Sequence, residues 1–262
     1  MMTSRSPISL LTLAETLTVA ALTFVTSLVG CARSIEPAPP PRAPGPTLPT
    51  PSTRSTLRAL YGIPPVARIA ATRAALVLVD FQEEFFHGKL PIPDGELAKR
   101  HAEQLLAWAR RSNLAVVHVR NVARPASPLF APDSPTTALV PSLAPRPNEL
   151  VVTKPTGGAF TGTELDATLH ERTIETLVVA GIMTHLAVAM TAQDATVLGY
   201  RVVVASDATA TRDLPGAGGA PAVAHTALQR AALAAIADRF ADVMSTQQIL
   251  ALPLVPPAPR AP

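Results

Sequence analysis

Cysteine and aromatic residues are scarce in this chain. Cys31 is the only cysteine among 262 residues, so the chain cannot form an intramolecular disulfide bond. Aromatic residues make up 4% of the sequence, and its 22 Lys and Arg residues are dispersed and nearly balanced by 19 Asp and Glu residues. A nucleic-acid surface needs a basic stripe interleaved with aromatic side chains, so we expect no nucleic-acid partner. Hydrophobic residues make up 48%, which is enough for a substantial core.

The amino-terminal segment has the composition of an export signal. Residues 8–30 are almost continuously apolar and follow Arg5, a short positive region. The run ends at Leu28-Val29-Gly30-Cys31, which resembles the lipobox of bacterial lipoproteins, where cleavage precedes an acylated cysteine. We therefore predict a signal peptide over 1–30, a lipid on Cys31 and a lipid-anchored location in the bacterial cell envelope, at the outer membrane or periplasmic face in a Gram-negative source. The alternatives are a plain signal peptide, an uncleaved anchor or a mis-called start codon.

Proline-rich segments flank the body of the chain. Residues 37–51 favour an extended polyproline conformation that cannot pack into a core, and the last ten residues are similar in composition. We predict a linker over 31–70, one globular domain over 71–252 and a disordered tail over 253–262.

The body alternates short apolar runs with amphipathic stretches, a pattern typical of βαβ units. Apolar runs without polar alternation indicate strands that are buried on both faces. The predicted fold is a three-layer α/β/α sandwich, Rossmann-like, around a doubly wound, mainly parallel six-stranded sheet. Its predicted strands span 74–80, 114–120, 150–154, 176–181, 201–208 and 241–246, and its main helices span 96–112, 184–199 and 220–239. The long Pro-rich segment between the second and third strands is predicted to form a lid or rim.

Polar residues stand where the predicted strands end. Ligands of such sheets bind beyond the carboxyl ends of the strands, so these residues are the candidates for a site. Asp80 ends the first strand, Lys154 ends the third, and residues 181–188 lead from the fourth strand into a helix. The nearby residues predicted to contact a small-molecule ligand are Gln82, Phe85, Phe160, Thr184 and His185.

Four segments in this order resemble the isochorismatase-like hydrolases, also called the cysteine hydrolase superfamily, over residues 74–251. They are LVLVDFQEEFF (76–86), KPTGGAFTGTEL (154–165), VVAGIMTHLAVAMTAQDATVLGYRVVVASDATATRD (178–213) and DRFADVMST (238–246). The resemblance implies a catalytic Asp at Asp80, a Lys at Lys154 and a nucleophilic Cys at position 187. It also implies an oxyanion hole formed by the N–H groups of Met183 and Ala187, beside a cis peptide at Ile182-Met183.

The nucleophile position holds Ala187, whose methyl group cannot attack a carbonyl carbon. Thr184 and Thr191 are weak candidates for a replacement. The nicotinamidase branch has an Asp-x-His metal element after its first strand, and this sequence lacks that element there, so no metal is expected. No other cofactor is expected, because the sequence contains no phosphate-binding loop of the G-x-x-x-x-G-K type.

Two functions remain open at this point. The first is a hydrolase that works without a thiol, with Asp80 as acid or base; isochorismatases proper cleave a vinyl ether in this way. The second is an inactive, envelope-anchored pseudoenzyme with a binding or structural role. The flanking segments are more similar to the amidase-type, streptothricin-hydrolase-like branch. That branch depends on its cysteine, which is missing here. The resemblance also implies a homo-oligomer.

Overall fold

The computed structural model describes residues 55–256, and its central feature is a six-stranded sheet in which every neighbouring pair is parallel. The strand order is β4-β3-β2-β5-β6-β7, so the chain builds outward on one side of β2 and then on the other. This order confirms the predicted doubly wound sheet and places its switch point between β2 and β5. The strands are β1 (Ile69–Ala70), β2 (Ala74–Val79), β3 (Ala115–Asn121), β4 (Leu150–Lys154), β5 (Thr176–Ile182), β6 (Arg201–Ala210), β7 (Asp242–Met244) and β8 (Leu254–Val255).

Helices cover both faces of the sheet. Leu76 and Leu78 of β2 belong to one apolar cluster, whereas Val77 and Val79 belong to another. A strand between two helical layers therefore needs an unbroken apolar sequence, which is what β2 has. The helices are α1 (Leu57–Leu60), α2 (Gly95–Arg111), α3 (Leu165–Glu171), α4 (Ala189–Val197), α5 (His225–Arg239) and α6 (Thr246–Leu250). Residues of α2 and α6 pack in the first cluster, and residues of α3, α4 and α5 pack in the second.

Most predicted elements lie within two residues of the observed ones, and two helices differ by more. The predicted helix over 184–199 begins with a π-helical turn, Thr184–Val188, before α4. The predicted helix over 220–239 begins only at His225, where the Asp213 carboxylate accepts the first backbone N–H. The predicted strand over 241–246 is limited to the three residues of β7.

The ends of the domain differ from the predicted boundaries. The linker was predicted to run to residue 70 and the disordered tail to begin at 253, yet β1 and β8 pair in parallel as a separate two-stranded sheet. Ile69 is fully buried, and its N–H donates to the Pro253 carbonyl oxygen at 2.9 Å. Composition gave no sign of this pairing because it joins two short apolar pairs that are far apart in the sequence. The folded domain therefore includes residues that we had assigned to the linker and the tail.

The predicted signal peptide, Cys31 and the start of the linker lie outside the described residues. Within residues 55–256, no helix is both long enough and apolar enough to cross a membrane.

Candidate active site

Asp80 and Lys154 form a buried ion pair at the carboxyl edge of the sheet. Asp80 directly follows β2, Lys154 is the last residue of β4, and β3 lies between these two strands. The Lys154 Nζ donates to the Asp80 Oδ2 at 2.7 Å, and both side chains are almost fully buried. The structure thus brings together the two charged residues that the sequence placed at strand ends.

The two oxygens of the Asp80 carboxyl group have different surroundings. Oδ2 accepts from Lys154, whereas the buried Oδ1 has no hydrogen-bond partner among the described residues. Burial raises the pKa of Asp80 to about 6, although the nearby Lys154 cation acts to lower it. Asp80 is therefore positioned to exchange a proton near neutral pH, and its free oxygen is available for that exchange.

A sharp turn after β5 lies next to Asp80. The Ile182-Met183 peptide bond is cis, as the resemblance implied. Gly181, just before it, allows β5 to lie close to β2, because a Cβ there would lie 2.5 Å from the Val79 carbonyl oxygen. The Met183 N–H donates no hydrogen bond to any residue in 55–256. It is therefore a free donor beside the acid, as an oxyanion hole requires.

Ala187 lies in the π-helical turn that leads from β5 to α4. Its side chain is buried and belongs to the same apolar cluster as Val79 and Val188. A methyl group at this position contributes to packing only, since it has neither a lone pair nor an acidic proton.

Two threonines near Ala187 differ in their availability. The Thr191 hydroxyl donates to the Ala187 carbonyl oxygen at 2.6 Å and accepts from the Ala159 N–H at 2.9 Å. The Thr184 hydroxyl is fully buried and has no partner within the described residues. Thr191 therefore has a structural role, whereas Thr184 can still bind a ligand.

Three of the residues predicted to contact a ligand make contacts within the fold, and their contact with a ligand stays a prediction. The Gln82 side chain donates to the carbonyl oxygens of Asn121 and Thr137 and accepts from the Asn121 N–H, so its polar groups are used by the protein itself. Phe85 packs on Phe130 with ring centroids 5.4 Å apart. Phe160 stacks on Tyr200, the residue just before β6, at 5.9 Å. Sequence position placed these residues near strand ends but did not give the direction of their side chains.

His185 and Arg212 lie together beside the turn. The His185 Nδ1 is hydrogen-bonded to the Thr211 hydroxyl at 2.5 Å. Burial lowers the pKa of His185, and the Arg212 cation lowers it further. The Arg212 Nε is buried and has no hydrogen-bond partner among residues 55–256. We did not single out Arg212 from the sequence, although its position just past the end of β6 was a usable signal.

Among residues 55–256, no group of three or more His, Cys, Asp or Glu side chains is placed to hold a metal ion. The charged groups that the described site offers to a ligand are Asp80, Lys154 and Arg212.

Comparison with known proteins identifies the family. Residues 74–248, two thirds of the chain, match the isochorismatase domain. The chain belongs to the isochorismatase family. It is 33% identical over 195 residues to the secreted isochorismatase effector Isc1 of Verticillium dahliae, covering 74% of this chain and 99% of that protein. It is 35% identical over 189 residues to a streptothricin hydrolase of Streptomyces noursei, covering 72% of this chain and 67% of that protein.

Solved structures of the isochorismatase family confirm the fold. An isochorismatase from Pseudomonas putida superposes with a TM-score of 0.68 at 31% identity, covering 77% of this chain and 100% of that one. An isochorismatase hydrolase from Oleispira antarctica gives 0.66 at 34% identity, covering 70% and 98%. The related proteins include named hydrolases, so the chain is a member of a family of small-molecule hydrolases.

Proposed function

We propose that this isochorismatase-family domain is a small-molecule hydrolase in which Asp80 acts as acid and base, Lys154 orients it and no thiol takes part. One observation carries the proposal: the buried Asp80 carboxyl group has a free oxygen and a pKa raised to about 6. A structural ion pair needs neither feature, whereas a proton-transfer catalyst needs both.

On this proposal, water replaces the missing thiol. The Asp80 Oδ1 takes a proton from a water molecule as the water oxygen bonds to the carbonyl carbon of an amide or ester. The Met183 N–H donates to the oxygen that becomes negatively charged. When the carbon–nitrogen or carbon–oxygen bond breaks, Asp80 returns the proton to the leaving group, and the products are an acid and an amine or alcohol. Lys154 keeps Asp80 in place through the 2.7 Å hydrogen bond.

Cleavage of a vinyl ether is the second reaction open to the same carboxyl group. Asp80 in its protonated form would protonate the vinyl carbon, and water would add to the resulting cation and return a proton to Asp80. The hemiketal so formed would separate into an alcohol and a ketone. This route also needs no nucleophilic side chain. Isochorismate is therefore included among the test substrates.

A non-catalytic binding protein is the competing function, and Ala187 favours it. Removing the nucleophile from a site built around it normally abolishes most of the rate. The remaining groups would still bind a small polar molecule.

The first experiment compares wild-type protein with Asp80→Asn and Ala187→Cys on a panel of amides, esters and isochorismate. We expect wild-type turnover that falls at least about 100-fold in Asp80→Asn, which is the usual contribution of a general acid or base. Ala187→Ser is the matched control for Ala187→Cys, since it adds a hydroxyl group of similar size to the thiol.

Two results would count against the proposal. Activity that appears only in Ala187→Cys would mean that the site is a hydrolase site that has lost its function. Ligand-induced stabilisation without turnover in any variant would support the binding protein.

A further inference from the structure

A polar cavity lies at the amino edge of the sheet, opposite to the candidate active site. It has a volume of about 410 Å³ and is formed by the residues that precede β2, β3 and β4 together with the carboxyl ends of α2 and α3. Its charged lining residues are Arg110, Arg146, Arg172 and Glu149. The chemistry proposed above takes place at the carboxyl ends of the strands and makes no use of these residues.

Glu149 is the centre of a hydrogen-bond network in the wall of this cavity. Its carboxylate accepts from the Arg110 Nε and Nη2 at 2.7 and 2.8 Å and from the Arg146 backbone N–H at 2.8 Å. The fully buried His118 is hydrogen-bonded to it through Nε2 at 2.9 Å. Burial acts to raise the pKa of Glu149, but these hydrogen bonds outweigh it and lower the pKa to about 2. Glu149 is therefore ionised at neutral pH and neutralises one cation.

The same network fixes the guanidinium group of Arg110. Its Nε and Nη2 donate to Glu149, and its Nη2 also donates to the Ala144 carbonyl oxygen at 2.9 Å. The Arg110 Nη1 donates no hydrogen bond to any residue in 55–256. A guanidinium held through two of its nitrogens is preorganised to bind an anion through the third.

Arg146 and Arg172 add two exposed cations to the same cavity. The nearby carboxylates are already used, since Glu149 pairs with Arg110 and Glu175 pairs with Arg73. The lining thus carries three positive charges and one negative charge. Like charges around one cavity repel one another, and a bound anion removes this repulsion.

The electrostatics of helices account for only part of this arrangement. Arg110 lies in the last turn of α2 and Arg172 is the C-cap of α3, and both positions favour a cation. Arg146 belongs to no helix, yet it lines the same cavity. Its position is explained if the three guanidinium groups act together on one ligand.

Phosphate is the anion that this lining fits best. Guanidinium groups form paired hydrogen bonds with phosphate oxygens, and a phosphoryl group offers more oxygens to several arginines than a carboxylate does. The uncharged donors of Thr72, Asn113 and Asn148 also line the cavity. Its volume lies in the range of small-molecule sites, so it has room for more than a single phosphoryl group.

We propose that the amino-edge cavity binds a small compound with a diphosphate or phosphate-ester group, and that Arg110, Arg146 and Arg172 hold this group. The six residues of β2 run from this edge to Asp80, so the two sites are separated by roughly 20 Å. The inference is independent of the proposed function, because it uses none of the residues assigned to catalysis.

Inorganic pyrophosphate is the probe for this site, and succinate is the carboxylate comparison. Binding of each to the full-chain protein is measured by titration calorimetry in metal-free buffer, which needs no turnover. We expect pyrophosphate to bind at one site and at least about tenfold more tightly than succinate, since its oxygens can pair with all three guanidinium groups.

Two variants assign the binding to the cavity. Arg146→Gln and Arg172→Gln should each weaken pyrophosphate binding at least about fivefold, because each removes charge-assisted hydrogen bonds. Both residues are exposed, so the variants should stay folded, and thermal unfolding checks this. Arg230→Gln is the matched control, because Arg230 is exposed on α5 and does not line the cavity. Arg212→Gln, at the carboxyl edge, should also leave the affinity unchanged.

The results that would overturn the inference are distinct. They are no saturable binding of pyrophosphate at millimolar concentrations, equal binding of pyrophosphate and succinate, and unchanged affinity in the folded Arg146→Gln and Arg172→Gln variants. Binding that is lost in Arg212→Gln instead would place the anion at the candidate active site and also overturn it. Pyrophosphate binding that depends on Arg146 and Arg172 would support the inference whether or not the protein turns over a substrate.

Discussion

At the scale of single residues, the site is defined by which polar atoms are satisfied and which are not. Lys154 occupies one oxygen of Asp80 and leaves the other free. The Gln82 side chain is only two residues further along, yet its polar groups are bonded to the backbone. Residues close in sequence therefore have opposite roles, one available to a ligand and the other fixed in the fold.

The raised pKa of Asp80 predicts the pH dependence of activity. A carboxyl group with a pKa of about 6 is mostly protonated one unit below that value and mostly ionised one unit above it. If Asp80 is the base that activates water, kcat/KM should rise through about pH 6 and level off above it. If it is the acid in vinyl ether cleavage, kcat/KM should fall over the same interval. Initial rates over a pH series distinguish the two.

Replacement of Lys154 tests whether the titration of Asp80 produces this rising or falling limb of the plot of kcat/KM against pH. The Lys154 cation acts to lower the pKa of Asp80, so Lys154→Met should move the limb to higher pH. A shift to lower pH, or no shift in a variant that keeps measurable activity, would contradict the assignment of the limb to Asp80.

The sequence was sufficient to predict which residues stand at strand ends. Asp80, Lys154, Met183 and Ala187 are all found at the carboxyl edge, because parallel strands of known order bring their carboxyl ends together. The direction of a side chain in a loop is not periodic, however, so the sequence did not show that Phe85 packs on Phe130 and Phe160 on Tyr200. Arg212 was missed for a related reason, since the burial of its Nε without a hydrogen-bond partner among residues 55–256 is a property of three-dimensional packing.

At the scale of elements, the long segment between β3 and β4 is tied to the residues that follow Asp80. The Glu83 N–H donates to the Ala138 carbonyl oxygen at 2.9 Å, and the Val140 N–H donates to the Phe81 carbonyl oxygen at 2.9 Å. Gln82 adds its side-chain bonds to the same contact. The segment predicted to form a lid or rim is thus bonded to the residues that directly follow the acid.

Gln82→Ala should loosen this segment. The buried C=O of Thr137 and the partly buried N–H and C=O of Asn121 would lose a partner, at a cost of about 2 kcal/mol in the free energy of unfolding. Proteinase K, which has little sequence specificity, should also cleave faster in the same segment, where Ala126 and Asp133 are exposed. Gln104→Ala is the control, because Gln104 is exposed on α2. Equal stability and equal cleavage rates in the two variants would show that the bonds of Gln82 do not hold the segment.

At the scale of the whole molecule, two short strands near the two ends of the described residues pair with each other. β1 lies in the region that the sequence assigned to the linker, and β8 lies in the predicted tail, yet they pair in register. Val66, four residues before the end of β1, is also buried, and its N–H donates to the Asp242 carboxylate at 2.8 Å. The proline-rich composition of the flanks concealed this contact because only a few apolar residues on each side take part. The homo-oligomer and the lipid on Cys31 stay predictions.

Ile69 provides the test of whether these ends are part of the folded unit. Its side chain is fully buried in the same cluster as Leu76 and Leu78, so Ile69→Ala should lower the free energy of unfolding by about 2–5 kcal/mol, the usual cost of truncating a buried isoleucine. Leu254→Ala is the matched control on the partner strand, because Leu254 is 42% exposed and its truncation should cost under about 1 kcal/mol. Urea denaturation of the full-chain variants measures both values. If the domain began at residue 71, as composition indicated, the two variants would be equally stable. A large loss of unfolding free energy in Ile69→Ala alone requires that the segment before β2 folds with the sheet. That segment would then support the strand that leads to Asp80.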